Sequence, residues 1–292
     1  MIPARVLVSY GSHGIVSTEQ GNFDCRWRRG KGRPLCGDQI LVSLSTKEEA
    51  ALEKIEARQS EFRRGDARGR AQLIAANVQQ VIIVVAPEPA PSEFMIDRYL
   101  VAVAAMGLKA VLVLNKCDLL KTNSTLPQRL EAYKALGVEM VRASSQGEPG
   151  TDAVAEALHQ RHSILVGQSG AGKSSLINSI IPDREEQTGA LSEATGKGRH
   201  TTTRTLWIQL PNGGAVVDSP GVWEYGLWHM EATEVQQCMP DIQDASAQCR
   251  FRNCLHQGEP GCGVADAIHQ GSLPQRRLDA FHNILSMQKN NK

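Results

Sequence analysis

A glycine-rich segment in the middle of the chain has the residue types and spacing of a phosphate-binding loop. Gly167, Gly172, Lys173 and Ser174 fit the pattern G-x-x-x-x-G-K-[ST], after the apolar run SILV and before a helix-forming run. Glycines let the backbone wrap a phosphate, and the N–H groups that open the helix point toward the anion. We expect Lys173 to be catalytic by neutralising phosphate oxygens, and the Ser174 hydroxyl to bind Mg²⁺. The predicted nucleotide contacts in this loop are Gly167, Gln168, Ser169, Gly170, Ala171, Gly172, Lys173, Ser174 and Ser175.

The tetrapeptide Asn115-Lys116-Cys117-Asp118 selects guanine over adenine, which a phosphate loop alone does not do. It follows the apolar run AVLVL and so falls at the carboxyl end of a predicted sheet strand. The Asp118 carboxylate can accept hydrogen bonds from the guanine N1–H and 2-amino group, a donor pair that adenine lacks. We expect Lys116 to lie along the base and Asn115 to tie this loop to the phosphate loop. Ser144 and Ser145, after a further short strand, are predicted to back the guanine of GTP or GDP.

Two patterns downstream of the phosphate loop predict switch segments. Asp218 and Gly221 fit D-x-x-G after the run AVV, where the Asp can hold Mg²⁺ through water. The Gly221 N–H can bind the γ-phosphate, and that bond is lost on hydrolysis. One threonine of the cluster 201–203 should reach Mg²⁺; we favour Thr202, but the sequence leaves all three open. Residues 188–198 read as a mobile switch loop.

The residue after D-x-x-G bears on how water is activated. Val222 stands where Ras-like proteins carry the glutamine that orients the attacking water. Valine cannot do this, so hydrolysis should be slow or should use another group, for which His200 is the nearest candidate. The alternative is that His200 is an ordinary surface histidine. At Gly170, some potassium-activated GTPases carry a cation-binding Asn, which this chain lacks.

A cluster of sulfur and imidazole ligands near the carboxyl end has the spacing of a zinc site. Cys249, Cys254, His256 and Cys262 form the pattern C-x4-C-x-H-x5-C. Three thiolates and one imidazole are a closed tetrahedral set that leaves no position for water. We therefore expect one structural Zn²⁺, the alternative being three unrelated cysteines beside a histidine.

The elements that must position these residues fall into three segments. Residues 71–224 alternate short apolar runs with helix-like stretches at 91–107 and 128–137, the signature of a parallel sheet covered by helices. Because the guanine motif precedes the phosphate loop by about fifty residues, the motif order is circularly permuted, G4-G5-G1-G2-G3. Residues 225–292 carry the zinc ligands between helical stretches.

Residues 1–70 have the β-branched residues and short turns of a small barrel. The stretch 47–58 is ambiguous, helix by propensity or strand by position. The sequence CRWRRGKGR places five basic residues around a tryptophan in one loop, which fits an OB-fold that binds RNA. The alternative is an arginine-rich solvated hairpin.

Composition and the pattern of apolar residues limit the partners and the cellular location that we expect. The formal net charge is +1, so whole-chain charge gives no argument for nucleic acid. The apolar runs are too short to span a bilayer, and the amino terminus lacks a secretory pattern. We expect a cytoplasmic protein without membrane partners, and a monomer.

The motifs together resemble the RsgA (YjeQ) family of bacterial small ribosomal subunit biogenesis GTPases. The resemblance rests on NKCD, GQSGAGKSS, GRHTTT and DSPG in permuted order, on the barrel before them and on the knuckle after them. It covers essentially the whole chain, and GLWHMEATEV also looks similar. It implies an amino-terminal OB-fold barrel (1–70), a central α/β P-loop G domain (71–224) and a carboxyl-terminal, mostly helical zinc domain (225–292).

The resemblance further implies binding to the 30S subunit at 16S rRNA, ribosome-stimulated GTP hydrolysis and a late maturation checkpoint, with other assembly factors as candidate partners. His200 holds the family's switch histidine position, which favours a catalytic role. Family members often begin with a longer basic extension, so we expect one rRNA-contacting arm to be missing here. We hypothesise that nucleotide state changes how both flanking domains grip RNA.

Two other functions stay open at this stage. One is an RNA-binding assembly scaffold in which nucleotide is a structural ligand and hydrolysis is vestigial, which Val222 favours. The other is a metabolic P-loop kinase, against which the guanine motif argues.

Overall fold

Five short strands at the amino-terminal end close into a barrel in the computed structural model, which describes residues 1–46, 48–66, 68–181, 205–211, 213–219 and 227–289. The barrel order is β1-β2-β3-β5-β4. Ala50 and Leu52 alternate into the barrel core, so the part Glu49–Ile55 of the ambiguous stretch 47–58 is a strand rather than a helix. The barrel strands are β1 (Ile2–Ser9), β2 (His13–Thr18), β3 (Gly21–Arg26), β4 (Gln39–Leu44) and β5 (Glu49–Ile55).

A two-stranded hairpin, β6 (Glu61–Gly65) and β7 (Ala71–Ala76), follows the barrel as a separate sheet. The predicted domain boundary at residue 70 falls in the turn between these two strands. The boundaries at 70 and 224 remain predictions, and residue 224 lies outside the described ranges.

A six-stranded sheet forms the central part of the molecule, in the order β10-β9-β8-β11-β13-β12. Every neighbouring pair is parallel except β12 with β13. The central strand β8 is buried along its whole length, as expected for a sheet covered on both faces. The strands are β8 (Gln80–Val85), β9 (Lys109–Leu114), β10 (Glu139–Arg142), β11 (His162–Val166), β12 (Leu206–Gln209) and β13 (Ala215–Asp218).

Helices cover the two faces of this sheet and enclose two hydrophobic clusters, one on each side. Ser92 caps the first helix, because its hydroxyl accepts from the backbone N–H of Met95. The second helix continues as a 3-10 turn (Ala132–Leu136). The described helices of this part are α1 (Glu93–Ala105), α2 (Leu126–Glu131), α3 (Asp152–Leu158) and α4 (Lys173–Ile180).

The carboxyl-terminal part is helical and has its own apolar core, in which Phe281 and Ile242 are fully buried. Its described helices are α5 (Ala232–Gln237), α6 (Pro240–Ser246), α7 (Gly263–His269) and α8 (Gln275–Lys289). The predicted fold class is thereby confirmed: a barrel, an α/β domain and a mostly helical domain. Across the described ranges, no helix is both long enough and apolar enough to cross a membrane.

The barrel contacts the central sheet through the edge strand β12. The Arg5 guanidinium on β1 lies 4.8 Å from the ring centroid of Trp207 and donates to the Gly37 carbonyl at 2.8 Å. Gly37, with φ +87°, packs so closely against the Ala76 carbonyl and the Trp207 ring that a Cβ there would clash. The barrel therefore rests on one strand of the sheet through a backbone position that only glycine fits.

The helical part contacts the central domain on a different element, α1. Arg277 of α8 is 4% exposed and donates both to Asp97 of α1, 1% exposed, and to Asp241 of α6 at 2.8 Å. Arg276 lies 3.4 Å from the same Asp97 carboxylate. Burial raises the pKa of Asp97, and the two arginines oppose that shift. A buried ionic cluster therefore joins three helices.

Candidate nucleotide-binding site and zinc centre

The predicted nucleotide residues meet at one edge of the central sheet. Five neighbouring strands run parallel, so their carboxyl ends lie side by side. The guanine motif follows β9, the serine pair follows β10, the phosphate loop follows β11, and Asp218 ends β13. Loops at this edge are where open α/β sheets hold ligands.

The phosphate loop has the backbone geometry that its glycines predict. Gly167, Gly170 and Gly172 have φ values of +137°, +80° and +88°. A Cβ at Gly172 would lie 2.5 Å from the Asn115 amide nitrogen, and a Cβ at Gly167 would clash with the Val84 carbonyl. The loop therefore passes close to two neighbouring segments and opens α4 at Lys173, where free N–H groups collect.

The Lys173 side chain is held at the floor of this loop. It is 2% exposed, and its ammonium donates to the Gly167 carbonyl at 2.7 Å and to the Gln168 carbonyl. Burial lowers the pKa of Lys173 to about 8. An anion beside the ammonium would reverse that shift, since an opposite charge favours the charged form. Ser174 and Ser175 follow as exposed residues of the first helical turn.

The guanine motif is joined to the phosphate loop by Asn115. Its amide nitrogen donates to the Ala171 carbonyl at 3.0 Å, the connection that the sequence predicts for this residue. Its buried amide oxygen has no hydrogen-bond partner among the described residues, and neither does that of Gln168. Buried polar atoms without partners are rare in native proteins, so both oxygens mark a place for a ligand or water.

Asp118 is exposed and is set against the serine loop that follows β10. Its carboxylate accepts from the Ser144 hydroxyl, and Gly147 lies so close that a Cβ there would be 3.2 Å from the Asp118 Cβ. The Cys117 N–H donates to the Ala143 carbonyl at 3.1 Å. The two loops predicted to enclose guanine are thus connected, with Ser145 partly exposed beside them.

A proline-rich loop after β8 also contacts the site, and sequence reasoning missed it. The Lys116 ammonium donates to the Glu88 carbonyl at 3.1 Å. A Cβ at Gly170 would lie 3.3 Å from Pro89 Cδ, so glycine suits both the space and the positive φ. The run PEPAP directly after a sheet strand was the available signal, because loops at that edge border ligands.

Parts of the two predicted switch segments lie within the described residues, and they contact each other. The Thr205 and Ser219 hydroxyls lie 2.9 Å apart, and Asp218 is 8% exposed. The remaining switch predictions lie outside the described residues: loop 188–198, His200, Thr201, Thr202, Thr203, Gly221 and Val222.

The predicted zinc ligands converge in the helical part. The ligand atoms of Cys249, Cys254, His256 and Cys262 all lie within 4.8 Å of one another, and three of the four residues are buried. Three sulfurs and one imidazole are the donors that Zn²⁺ prefers in closed structural sites. The donor set therefore fits a zinc ion.

Comparison with known proteins agrees with the geometry. Residues 55–228 match the family model described as RsgA GTPase. A small ribosomal subunit biogenesis GTPase RsgA from Chromohalobacter salexigens is 42% identical over 287 residues, which cover 96% of this chain and 84% of that protein. The protein of the same name from Marinobacter nauticus is 38% identical over 96% of this chain and 82% of its own length.

Two solved structures share the arrangement of the whole chain. The crystal structure of YjeQ from Thermotoga maritima superposes with a TM-score of 0.80 at 26% identity, covering 98% of both chains. The crystal structure of YloQ, a circularly permuted GTPase, gives a TM-score of 0.78 at 28% identity, covering 100% of this chain and 96% of that one.

Proposed function

The chain belongs to the RsgA GTPase family, and on that premise we propose that it hydrolyses GTP in the late maturation of the small ribosomal subunit. The hydrogen bond from Asn115 to the Ala171 carbonyl carries the nucleotide part of this proposal. It holds the guanine-reading loop against the phosphate loop, so one ligand with a guanine and a polyphosphate spans both. Family membership argues against the alternative of a metabolic kinase.

Each residue of the site has a proposed part in binding. Asp118, held by Ser144, accepts from the guanine edge, while Lys116 lies along the base. The N–H groups from Gly167 to Ser175 and the Lys173 ammonium bind the phosphates. Oxygen ligands suit Mg²⁺, which would neutralise charge on the phosphates; Ser174 and Thr202 are the proposed ligands, and Asp218 would hold the ion through water.

The hydrolytic step is assigned to the switch segments. Gly221 is proposed to bind the γ-phosphate through its N–H, and His200 to orient the attacking water in place of the glutamine that Val222 replaces. Substitution of His200 by Ala should therefore lower the turnover number more than it weakens GTP binding.

The partner is proposed to be the 30S subunit, contacted at 16S rRNA. Exposed Arg29, Lys31 and Arg33 of the barrel loop support this, because cations in one loop can bind the phosphate backbone. Arg26 at the end of β3 and Arg28 in the loop pair with glutamates on β5. Binding of other assembly factors, a monomeric state and a cytoplasmic location complete the proposal.

The experiment that tests the proposal is GTP hydrolysis by the full chain with and without purified 30S subunits, with ATP as the control nucleotide. We expect slow GTP turnover alone, strong stimulation by 30S subunits and no turnover of ATP. GTP turnover that 30S subunits leave unchanged would contradict ribosome-stimulated hydrolysis and would leave the assignment of the GTP site intact.

Guanine recognition is tested by Asp118→Asn. The change replaces one acceptor oxygen by a donor, so GTP affinity should fall by about tenfold to a hundredfold, as expected when a polar contact to ligand is mismatched. Affinity for the corresponding xanthine nucleotide should rise, because its 2-oxo group accepts that donor. Asp152→Asn on α3, an exposed position, serves as the matched control. Equal GTP affinity in both variants would contradict the assignment of Asp118.

A second function is supported by Val222, which lacks a water-orienting group. In it the protein is a nucleotide-dependent RNA-binding scaffold with vestigial hydrolysis. GTP-dependent 30S binding without stimulated turnover would favour this function.

A further inference from the structure

The zinc ligand His256 has two ring nitrogens in different surroundings. Its Nδ1 lies 3.3 Å from the Cys262 sulfur and 3.7 Å from the Cys249 sulfur. Its Nε2 points away from the sulfurs and lies 3.1 Å from the Gln236 amide oxygen on α5. Because the ring is 4% exposed, water has little access to complete its hydrogen bonds.

A chain of hydrogen bonds determines which way the Gln236 amide faces. The Ser246 hydroxyl donates its single hydrogen to the Gln243 carbonyl at 2.7 Å. Toward Gln236, 2.8 Å away, that hydroxyl can therefore only accept, so the NH₂ of Gln236 must face Ser246. The same NH₂ lies 3.3 Å from the Gln243 side-chain oxygen. The amide oxygen of Gln236 is left facing His256.

The orientation of Gln236 in turn sets the tautomer of His256. A carbonyl oxygen only accepts, so the ring nitrogen facing it, Nε2, must carry the hydrogen. In the neutral ring the lone pair is then on Nδ1, the atom that faces the cysteine sulfurs. We propose that Gln236 is a positioning residue for the zinc site, which holds His256 in the tautomer and orientation that present Nδ1 to the metal.

This inference rests on the proposed zinc centre and adds a residue outside the C-x4-C-x-H-x5-C pattern. Partners of ligating histidines commonly orient the ring and increase its basicity, and their loss weakens metal affinity about tenfold to a hundredfold. Gln236 lies thirteen residues before the first ligand, on the helix that follows the D-x-x-G segment. Zinc binding would therefore also hold α5 in place.

The test measures zinc affinity of the full chain by competition with a chelator of known affinity. Gln236→Leu removes the acceptor and should weaken zinc binding about tenfold to a hundredfold. Gln236→Glu keeps an acceptor oxygen for His256 but loses the donor toward Ser246, so zinc affinity should fall less than in Gln236→Leu. Gln237→Leu makes the same change at the neighbouring exposed position of α5 and should have no effect.

The histidine tautomer is measured directly, in case the leucine variant folds poorly. Nitrogen-15 NMR of the unsubstituted zinc-loaded chain should show hydrogen on Nε2 of His256 and metal on Nδ1. In the Co²⁺-loaded form, Gln236→Leu should change the visible ligand-field bands, while Gln237→Leu should not.

Two results would overturn the assignment. One is metal on Nε2 in the unsubstituted chain, and the other is unchanged zinc affinity in Gln236→Leu. Failure of the underlying zinc centre is a separate outcome, seen as an unsubstituted chain that takes up no zinc, and it would remove this inference as well.

Discussion

The barrel and the helical domain are attached to the central sheet in contrasting ways. The barrel rests on β12 through Arg5, Gly37 and Trp207, a contact made of ring faces and backbone. The helical domain contacts α1 through the buried ion pair of Asp97 and Arg277. The barrel contact is a close fit of a guanidinium, an indole ring and backbone, and the helical-domain contact is a buried ion-pair cluster.

The two contacts also differ in their distance along the chain from the switches. β12 lies between the predicted switch motifs in the chain, since the threonine cluster precedes it and D-x-x-G begins at Asp218, the last residue of β13. α1 connects β8 to β9 and contains no switch residue. We therefore expect the nucleotide state to change the contact of the barrel with β12 more than the contact of the helical domain with α1.

The largest expected effect is at the ionic contact. Arg277→Leu leaves Asp97 buried with Arg276 as its remaining cation, and should lower the free energy of unfolding by about 3–5 kcal/mol. Urea denaturation monitored by circular dichroism measures the loss. Arg276→Leu is the matched control, and because Arg276 is 32% exposed its loss should be smaller. Equal effects of the two changes would contradict the assignment of the contact to Arg277.

The contact between the barrel and β12 is tested by adding one methyl group. Gly37→Ala forces an alanine into positive φ and against the Ala76 carbonyl and Trp207, so it should cost about 3 kcal/mol. Gly30→Ala has a similar φ, +82°, with no atom within 4 Å of the added carbon, and should cost about 1 kcal/mol. Thermal unfolding compares the two, and equal losses would mean that β12 does not restrict Gly37.

The stability loss at the ion-pair contact should depend on pH, and the loss caused by the added methyl group at Gly37 should not. Burial raises the folded-state pKa of Asp97, so the folded state binds a proton more readily and stability falls as pH rises through the interval above the unfolded value. Arg277→Leu removes an opposing charge and extends that interval upward. The loss caused by Arg277→Leu should be larger at pH 7 than at pH 5, while the loss caused by Gly37→Ala should be the same at both. Urea denaturation of both variants and of the unsubstituted chain at pH 5 and pH 7 measures these losses.

The smallest expected effect is a difference in hydrogen-exchange rate between two nucleotide states, measured at both contacts without any substitution. Hydrogen exchange of the full chain with GDP and with a non-hydrolysable GTP analogue should differ several-fold for amides of β1 and β12. Amides of α1 and α8 should exchange at equal rates in both states. A larger change in exchange rate in α8 than in β1 would mean that the nucleotide state affects the helical-domain contact more than the barrel contact.

Most of the site could be predicted from the sequence because its motifs are local. The phosphate loop, the guanine motif and the predicted zinc ligands each lie within a short stretch of sequence. In such a stretch, residue type and spacing are enough to predict the ligand that is bound. The parallel sheet then follows from its apolar runs, and the edge where the loops meet follows from parallel strand direction.

The features that the sequence did not reveal depend on distant residues. The helix propensity of 47–58 was overridden because β5 completes a barrel. The contact of Pro89 with Gly170 joins a loop after β8 to a loop after β11, and no spacing rule relates them.

The sequence by itself determined the permuted order of the G-domain motifs and predicted the nucleotide specificity and the zinc ligand set, because each follows from side-chain chemistry over a few neighbouring positions. Only the tertiary structure revealed which elements of the central domain contact the barrel and the helical domain, and which residue orients His256. Arg277 and Asp97 are 180 residues apart, and Gln236 and His256 are 20 apart. Their chemistry becomes visible only when folding brings them together and excludes the water that would otherwise satisfy them.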